Sequence, residues 1–134
     1  MFGFSQYSSL AQVDSAVASV EMINGNCNTE DAFDQCGTEL FSGDNSGRSR
    51  VLVVLMAGKS AQNVSRSAGS LKTAGVKIIA IGMGGSVDKS ELSTMAFSSS
   101  NVKTVASFAG LGQLDKVVSP LVSQGIKLKF WFSL

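Results

Sequence analysis

The stretch that most constrains the fold is the apolar run VLVVLMAGK at residues 51–59. Five apolar residues, Val51 to Leu55, open the run, and Gly58 breaks it. Its length, its valine content and its turn residue predict a strand buried on both faces, and hence the centre of a parallel sheet. Ligands of doubly wound α/β proteins bind at the carboxyl ends of such strands. In this chain those positions are Met56, Ala57, Gly58, Lys59 and Ser60, none of which is an acid.

Composition indicates one globular domain and excludes several function classes. The chain has 134 residues, of which 44% are hydrophobic and 16% charged. A net charge of +1 gives no electrostatic footprint for nucleic acid. The absence of histidine removes the commonest general base, the Ser/His/Asp triad and the usual zinc ligand. No apolar run reaches the roughly 20 residues of a membrane span, and the first ten residues do not form a signal peptide.

The part of the chain before the central strand predicts one strand and two helices. Residues 1–7 are expected to form a short strand that stops at Ser8 and Ser9, and residues 11–23 have helical apolar spacing. Thr29 is the expected N-cap of the second helix, with two acids in its first turn. The predicted inward face of this helix is Ala32, Phe33, Cys36, Leu40 and Phe41.

The part after the central strand alternates between helices and strands. A helix is expected to open at Ser60 or Ala61 and to end at Gly75, followed by a strand over 76–81. Asp88 and Glu91 form a capping-box pattern at the start of a helix over 88–97. A weaker strand over 102–108, a helix with its apolar stripe over 111–121 and an alternating tail complete the chain. This order implies right-handed βαβ crossovers and a parallel sheet.

This order of segments resembles the von Willebrand factor A domain of matrix proteins such as collagen VI and the matrilins. The matching pieces are FGFSQYSS, GNCNTEDAF, RVLVVLMAGKS, LKTAGVKIIAIGMGG, DKSELSTMA and SFAGLGQL. The resemblance implies a three-layer, Rossmann-like α/β fold with a doubly wound, mostly parallel sheet. It places a domain over residues 1–125, with a tail at 126–134. It also implies a secreted, extracellular interaction or adhesion domain with no catalysis and no cofactor, whose partner is a protein, for example a matrix component such as collagen.

The resembled family holds a metal ion at the carboxyl edge of its sheet, and this chain departs from that pattern. The family's ligands are an Asp-x-Ser-x-Ser, a threonine in a Gly-x-Thr loop and the aspartate of a Thr-Asp-Gly turn. Here Cys27 takes the threonine position, with Thr29 two residues late, and Ala57 takes the aspartate position. Magnesium requires hard oxygen ligands. We therefore predict no adhesion-site metal, and a ligand face formed by Cys27, Asn28, Thr29, Ala57, Gly58, Lys59 and Ser60, with Gly84 and Gly85 in the next loop.

The first central strand of the resembled fold is missing from this sequence. Two interpretations are open: a fragment or shortened product of a longer protein, or a domain that closes the gap with the tail KLKFWFSL. Both follow from the fact that bare strand edges are templates for aggregation, and we favour the first. Three other interpretations of this tail are open. It is an anchor for a partner or a membrane surface, a frayed end, or a strand added to an open edge.

Three further features have both a functional and a structural interpretation. The run Gly82–Gly85 suggests a nucleotide-binding enzyme, but it lacks the sixth-position glycine of the dinucleotide fingerprint, and a tight turn is favoured. Cys36 is expected to lie in the core rather than to form a disulfide with Cys27. Cys27 is expected to be an inert thiol. Asn63 begins a glycosylation sequon, for which chance occurrence is an equal explanation.

Overall fold

The fold is an α/β arrangement built on four parallel strands. The structure is a computed structural model that describes residues 6–19, 27–41, 49–107, 109–110, 116 and 127–133. The strands are β1 (Arg50–Met56), β2 (Val76–Met83), β3 (Val102–Val105) and β4 (Lys127–Ser133). The helices are α1 (Leu10–Ala18), α2 (Thr29–Gln35), α3 (Ser65–Thr73) and α4 (Lys89–Met95), with a π-helical turn at Cys36–Leu40 and a 3₁₀ turn at Ser99–Asn101. No helix in the described ranges is long and apolar enough to cross a membrane.

The predicted central strand is the centre of the sheet, whose order is β3-β2-β1-β4. β1 pairs in parallel with β2 from Arg50 opposite Val76 to Met56 opposite Gly82. On its other side it pairs in parallel with β4, from Arg50 opposite Lys127 to Met56 opposite Ser133. Residues 51–56 of β1 are at most 1% exposed, which confirms the prediction of a strand buried on both faces.

The tail forms the strand β4 and lies beside the central strand. The interpretation of the tail as a strand added to an open edge is therefore confirmed. The sheet position beside β1 on the side away from β2 is thus occupied by Lys127–Ser133.

Alternate residues of β1 and β2 supply two apolar cores. One core packs Leu52, Val54 and Met56 of β1 against residues of α2, α3 and α4, and includes Phe33 and Cys36, so the expected burial of that cysteine is confirmed. The other core, on the opposite face, contains the following residues: Val51, Val53, Leu55, Ile79, Ile81 and Met83. Successive side chains of a strand point to opposite faces of the sheet, and here both faces are buried. The two strands therefore have continuous apolar runs in the sequence.

The start of α3 was predicted wrongly. The helix begins at Ser65 rather than at Ser60 or Ala61, because tertiary hydrogen bonds hold the preceding loop. The backbone N–H of Ala61 donates to the Cys27 carbonyl at 2.9 Å, and the Asn63 side-chain oxygen accepts from the Ser65 N–H at 2.9 Å. The predicted end is confirmed, since Gly75 has a φ of 81°, a conformation that suits glycine.

Several other element boundaries differ from the predictions by a few residues. The N-cap of α2 is Asn28 rather than Thr29, which is the first helical residue. β2 runs through to Met83, α4 ends at Met95, and β3 ends at Val105, short of residue 108. Gln6 and Tyr7 lie outside any strand. Residues 1–5, residues 20–23 of the helix predicted over 11–23, and most of the helix predicted over 111–121 lie outside the described residues.

Candidate functional site

The candidate site lies at the carboxyl end of β1, where the strand order reverses. β2 follows β1 on one side, whereas β4, from the end of the chain, lies on the other. Such a switch point is the place where open α/β sheets bind ligands. The register brings Gly82 of β2 and Ser133 of β4 level with Met56. The loop after Met56 is therefore placed between the ends of two neighbouring strands.

The segment before α2 contributes a half-buried thiol and a fully buried hydroxyl to this edge. Thr29 is 0% exposed, and its Oγ1 lies 3.2 Å from the Cys27 Sγ. Asn28 is exposed, and its Oδ1 accepts from the Asp31 N–H at 3.5 Å. Asn28 thus caps α2. Thr29 is buried, and Cys27 is half-buried at the edge.

Ser60 joins the two halves of the edge. Its hydroxyl, in a residue only 7% exposed, donates to the Cys27 carbonyl at 3.3 Å and accepts from the Thr29 N–H at 3.3 Å. Its backbone N–H donates to the carboxylate of Glu91, at 3.1 Å from Oε2 and 3.3 Å from Oε1. Glu91 therefore fixes the β1 loop, whereas the capping-box pattern had assigned it to the start of α4.

Lys59, the lysine of the loop after β1, forms an ion pair with Asp88. Its Nζ lies 3.0 Å from Asp88 Oδ2, with the two side chains 68% and 30% exposed. The hydrogen bond to Asp88 raises the pKa of Lys59. The pKa of Asp88 is lowered first by that bond and then by the N–H groups of Glu91 and Ser90, which its carboxylate caps as predicted.

The residues of this edge do not fit the metal site of the resembled family. The resemblance places the methyl group of Ala57 at the position of the turn aspartate and the thiol of Cys27 at that of the loop threonine. Thr29 and Ser60 hold hydroxyls nearby, but both are already hydrogen-bonded within the edge. Among the described residues no cluster of three or more Asp, Glu, His or Cys side chains is arranged to hold a metal ion. Magnesium prefers several oxygen ligands, whereas the oxygens of this edge are already engaged: the hydroxyls of Thr29 and Ser60 with Cys27, and the carboxylates of Asp88 and Glu91 with Lys59 and the Ser60 N–H.

The glycine run after β2 serves packing and a turn. A Cβ at Gly82 would lie 2.6 Å from Leu92 Cδ1 and 3.0 Å from Val87 Cγ2, so any larger residue here would require these side chains to shift. Gly84 has a φ of 79°, and its N–H donates to the Val105 carbonyl at 2.9 Å. The nearest helix N-terminus already holds the Asp88 carboxylate, which repels phosphate. These contacts favour the predicted tight turn over a nucleotide loop.

The structure brings most of the predicted ligand-face residues together. Hydrogen bonds link Cys27, Thr29 and Ser60. Ala57 and Gly58 are half-buried in the loop between β1 and Ser60, and Ala57 packs against the core on the opposite face of the sheet from Cys27. Gly84 and Gly85 are exposed in the neighbouring loop. Sequence reasoning missed Asp88 and Glu91 as members of this edge, although their position just after the second strand was a usable signal. Asn63 lies outside the face, at the start of α3.

Comparison with known families decides the identity of the fold. The sequence model of the family "von Willebrand factor type A domain" matches residues 1–117 of this chain. The chain belongs to this family. Proteins of the family mediate protein–protein interactions and are generally not enzymes.

Solved structures of one matrix protein are similar to this von Willebrand factor A domain. Proximal thread matrix protein 1 from the mussel byssus is 31% identical, with a TM-score of 0.81 over 90% of this chain. The same mussel protein with a zinc-occupied metal-ion-dependent adhesion site is 30% identical, also at 0.81. A second crystal form gives 30% identity and 0.79. The matched part is 30–31% of the mussel chain, so this chain spans about a third of that protein's length.

Proposed function

We propose that this von Willebrand factor A domain is a metal-independent, non-catalytic interaction domain of an extracellular matrix-type protein. Its ligand face is the carboxyl edge described above. The residues of that face are Cys27, Asn28, Thr29, Ala57, Gly58, Lys59 and Ser60, with Gly84 and Gly85 beside them. The partner is a matrix protein, with collagen as the first candidate to test.

One observation carries the proposal: the hydroxyl groups of the edge are used to hold the loops together. Both residues are buried: the Ser60 hydroxyl donates to the Cys27 carbonyl and accepts from the Thr29 N–H, and the Thr29 hydroxyl is hydrogen-bonded to the Cys27 thiol. A metal ligand of this kind would need an oxygen lone pair directed to the ion, together with further oxygen donors. A site closed by its own hydrogen bonds instead presents a fixed surface, and fixed surfaces bind protein partners with little loss of conformational freedom.

The charge of the face indicates which kind of partner it suits. Lys59 and Asp88 form an exposed ion pair, and Glu91 lies beside them against the Ser60 N–H. The Lys59 ammonium is therefore offset by carboxylates instead of standing alone. A partner that presents both signs of charge, or polar backbone groups, is favoured over a purely acidic one.

The extracellular location and the matrix partner are supported by the similar mussel protein, which is named for the thread matrix. The zinc of its adhesion site is a property of that protein. In this chain the alanine and the cysteine at the corresponding family positions support recognition without a cation.

The proposal is tested by binding of the full chain to immobilised fibrillar collagen, with and without a chelator. We expect binding that persists in excess chelator and that Lys59→Glu weakens severalfold, because the substitution turns the ion pair with Asp88 into repulsion. Lys77→Glu is the matched control, since Lys77 is an exposed lysine at the amino end of β2, away from the face. Binding that chelation abolishes would overturn metal independence, and equal weakening by both variants would overturn the placement of the face.

A further inference from the structure

We infer that Asn63 is an N-glycosylation site and that its glycan stands at the border of the ligand face. The residue lies in the loop between β1 and α3. This inference rests on the proposed extracellular location, since the glycan is added only in the secretory pathway.

The local sequence is a complete acceptor. Asn63, Val64 and Ser65 form the only Asn-x-Ser/Thr sequence in the chain, and neither Val64 nor the following Arg66 is proline. The other asparagines at positions 24, 26, 28, 45 and 101 lack a serine or threonine two residues later. A single site gives a test with one possible product.

The geometry leaves the reacting nitrogen available. The Asn63 Oδ1 accepts from the Ser65 N–H at 2.9 Å, which fixes the side chain at the start of α3. Its Nδ2 donates no hydrogen bond to any residue that the structure describes. The carbonyl oxygen thus performs the structural role, and substitution on Nδ2 leaves that hydrogen bond intact.

The surroundings have room for a sugar. Val64 is buried at 2% exposure and anchors the turn, whereas Asn63 and Ser65 on either side of it are exposed. Ala61 and Gln62 are also exposed. A chain that places only the middle residue of a sequon in the core presents both functional residues of that sequon to solvent.

The position relates the glycan to the ligand face. Ala61, two residues before Asn63, donates its N–H to the Cys27 carbonyl at 2.9 Å. On the other side, Arg66 is held by Glu30 at 2.8 Å and Asp34 at 2.9 Å. A glycan on Asn63 therefore rises between the Cys27 loop and the α2–α3 surface, and limits partner access from the α3 side.

The covalent step is a transfer from a lipid-pyrophosphate-linked oligosaccharide, catalysed by the oligosaccharyltransferase of the secretory pathway. The Asn63 Nδ2 forms a bond to the anomeric carbon of the first sugar while the bond from that carbon to the pyrophosphate oxygen breaks. The amide loses one proton, and the lipid pyrophosphate leaves. No oxidant or reductant is required.

The test is secretion of the full 134-residue chain behind a cleavable leader from a eukaryotic cell, followed by mass spectrometry. Trypsin releases residues 60–66, SAQNVSR, between Lys59 and Arg66. We expect this peptide to carry an oligosaccharide that peptide N-glycosidase removes, leaving aspartate at position 63. Asn63→Asp keeps the side-chain acceptor for the Ser65 N–H, and Ser65→Ala keeps Asn63 itself. Both variants are expected to be secreted without the glycan, whereas Ser65→Thr should retain it.

Secreted wild-type chain whose peptide 60–66 is unmodified would overturn the inference. So would a glycan that survives in Ser65→Ala. Either result leaves the proposed function standing if the same secreted protein still binds collagen in chelator. Conversely, a glycan on Asn63 in a protein with no matrix binding would support the inference and count against the proposed function.

Discussion

The two sides of β1 carry ladders of equal extent but of different origin. β2 pairs with Arg50–Met56 after a single intervening helix, whereas β4 pairs with the same residues from the end of the chain. The first pairing is local and follows from the right-handed βαβ rule. The second closes a long loop, so its stability must offset a larger loss of chain entropy. The central strand β1 therefore depends on one partner that is close in sequence, β2, and on one that is distant in sequence, β4.

The largest effect is expected on the distant side, from removal of β4. A chain ending at residue 126 would expose the edge of β1, whose residues 51–56 are at most 1% exposed in the full protein. Unpaired buried backbone groups are costly, and an open apolar edge aggregates. We expect loss of a cooperative melt by circular dichroism, together with aggregates in size-exclusion chromatography. Deletion of Leu134 alone, beyond the end of β4, is the control and should leave the melt unchanged.

Retention of the full chain's melting temperature by the 126-residue chain would show that β1 does not need its distant partner. The comparison between the two sides would then fail, because β2 and the helices packed on it would be sufficient for the fold.

The next largest effect is expected on the local side, at Gly82. A Cβ there would lie 2.6 Å from Leu92 Cδ1 and 3.0 Å from Val87 Cγ2. Gly82→Ala should therefore lower the free energy of unfolding by about 1–3 kcal/mol, the usual cost of overpacking. Gly85→Ala is the matched control, because a Cβ at Gly85 meets nothing within 4 Å. Denaturant titration of both variants gives the difference. Equal stability of the two would contradict the close packing of α4 on β2.

A smaller effect is expected from Ser60→Ala, at the carboxyl end of β1. The substitution removes the acceptor of the Thr29 N–H and the donor to the Cys27 carbonyl. Because these bonds are long, at 3.3 Å, we expect a loss of about 1 kcal/mol in unfolding free energy, the low end for an unsatisfied buried group. Ser67→Ala removes a hydroxyl that donates only to the Val64 carbonyl within the turn of its own helix, and should cost less. A reversed order would show that Ser60 does not tie the edge together.

The smallest effect is the pH dependence of the exposed Lys59–Asp88 pair. The pKa of Asp88 is lowered in the folded protein, so its contribution is present above the usual aspartate pKa of about 3.9 and is lost as the pH falls through the folded value. The pKa of Lys59 is raised, so its contribution is lost only as the pH rises through the folded value, above about 10.4. The melting temperature of wild type minus that of Asp88→Asn should be positive and flat between about pH 5 and 9, and should shrink toward pH 3.

High salt should reduce that difference at neutral pH, because an exposed ion pair is screened. A difference that grows as the pH falls would show that Asp88 is not stabilised in its charged form.

The sequence predicted the strands better than it predicted their neighbours. The apolar runs at 51–56 and 76–83 have no other stable environment than a sheet covered on both faces. The position of β4 was only one of several open interpretations, because strand periodicity does not say which edge a terminal segment joins. The start of α3 was missed because Ser60 and Ala61 are held by Glu91 and Cys27, contacts between residues about 30 positions apart that local propensity does not record.

Only part of the candidate site was predicted, because local sequence patterns do not record tertiary contacts. The carboxyl ends of β1 and β2 identify Cys27, Ala57 and Ser60 through chain order and family pattern. The contributions of Asp88 and Glu91 depend on how α4 lies against the β1 loop, which is a tertiary contact. Charges near a site are therefore the part that sequence reasoning estimates least well.

The most direct measurement of cation-independent recognition is a calorimetric titration of Mg²⁺, Mn²⁺ and Zn²⁺ into the full chain, each with the Cys27→Ala variant as a control. We expect no saturable one-to-one binding of any of the three ions at the carboxyl edge. A saturable site that disappears in Cys27→Ala or in Thr29→Val would contradict the proposal, since it would mean that the edge holds a cation with the residues it has.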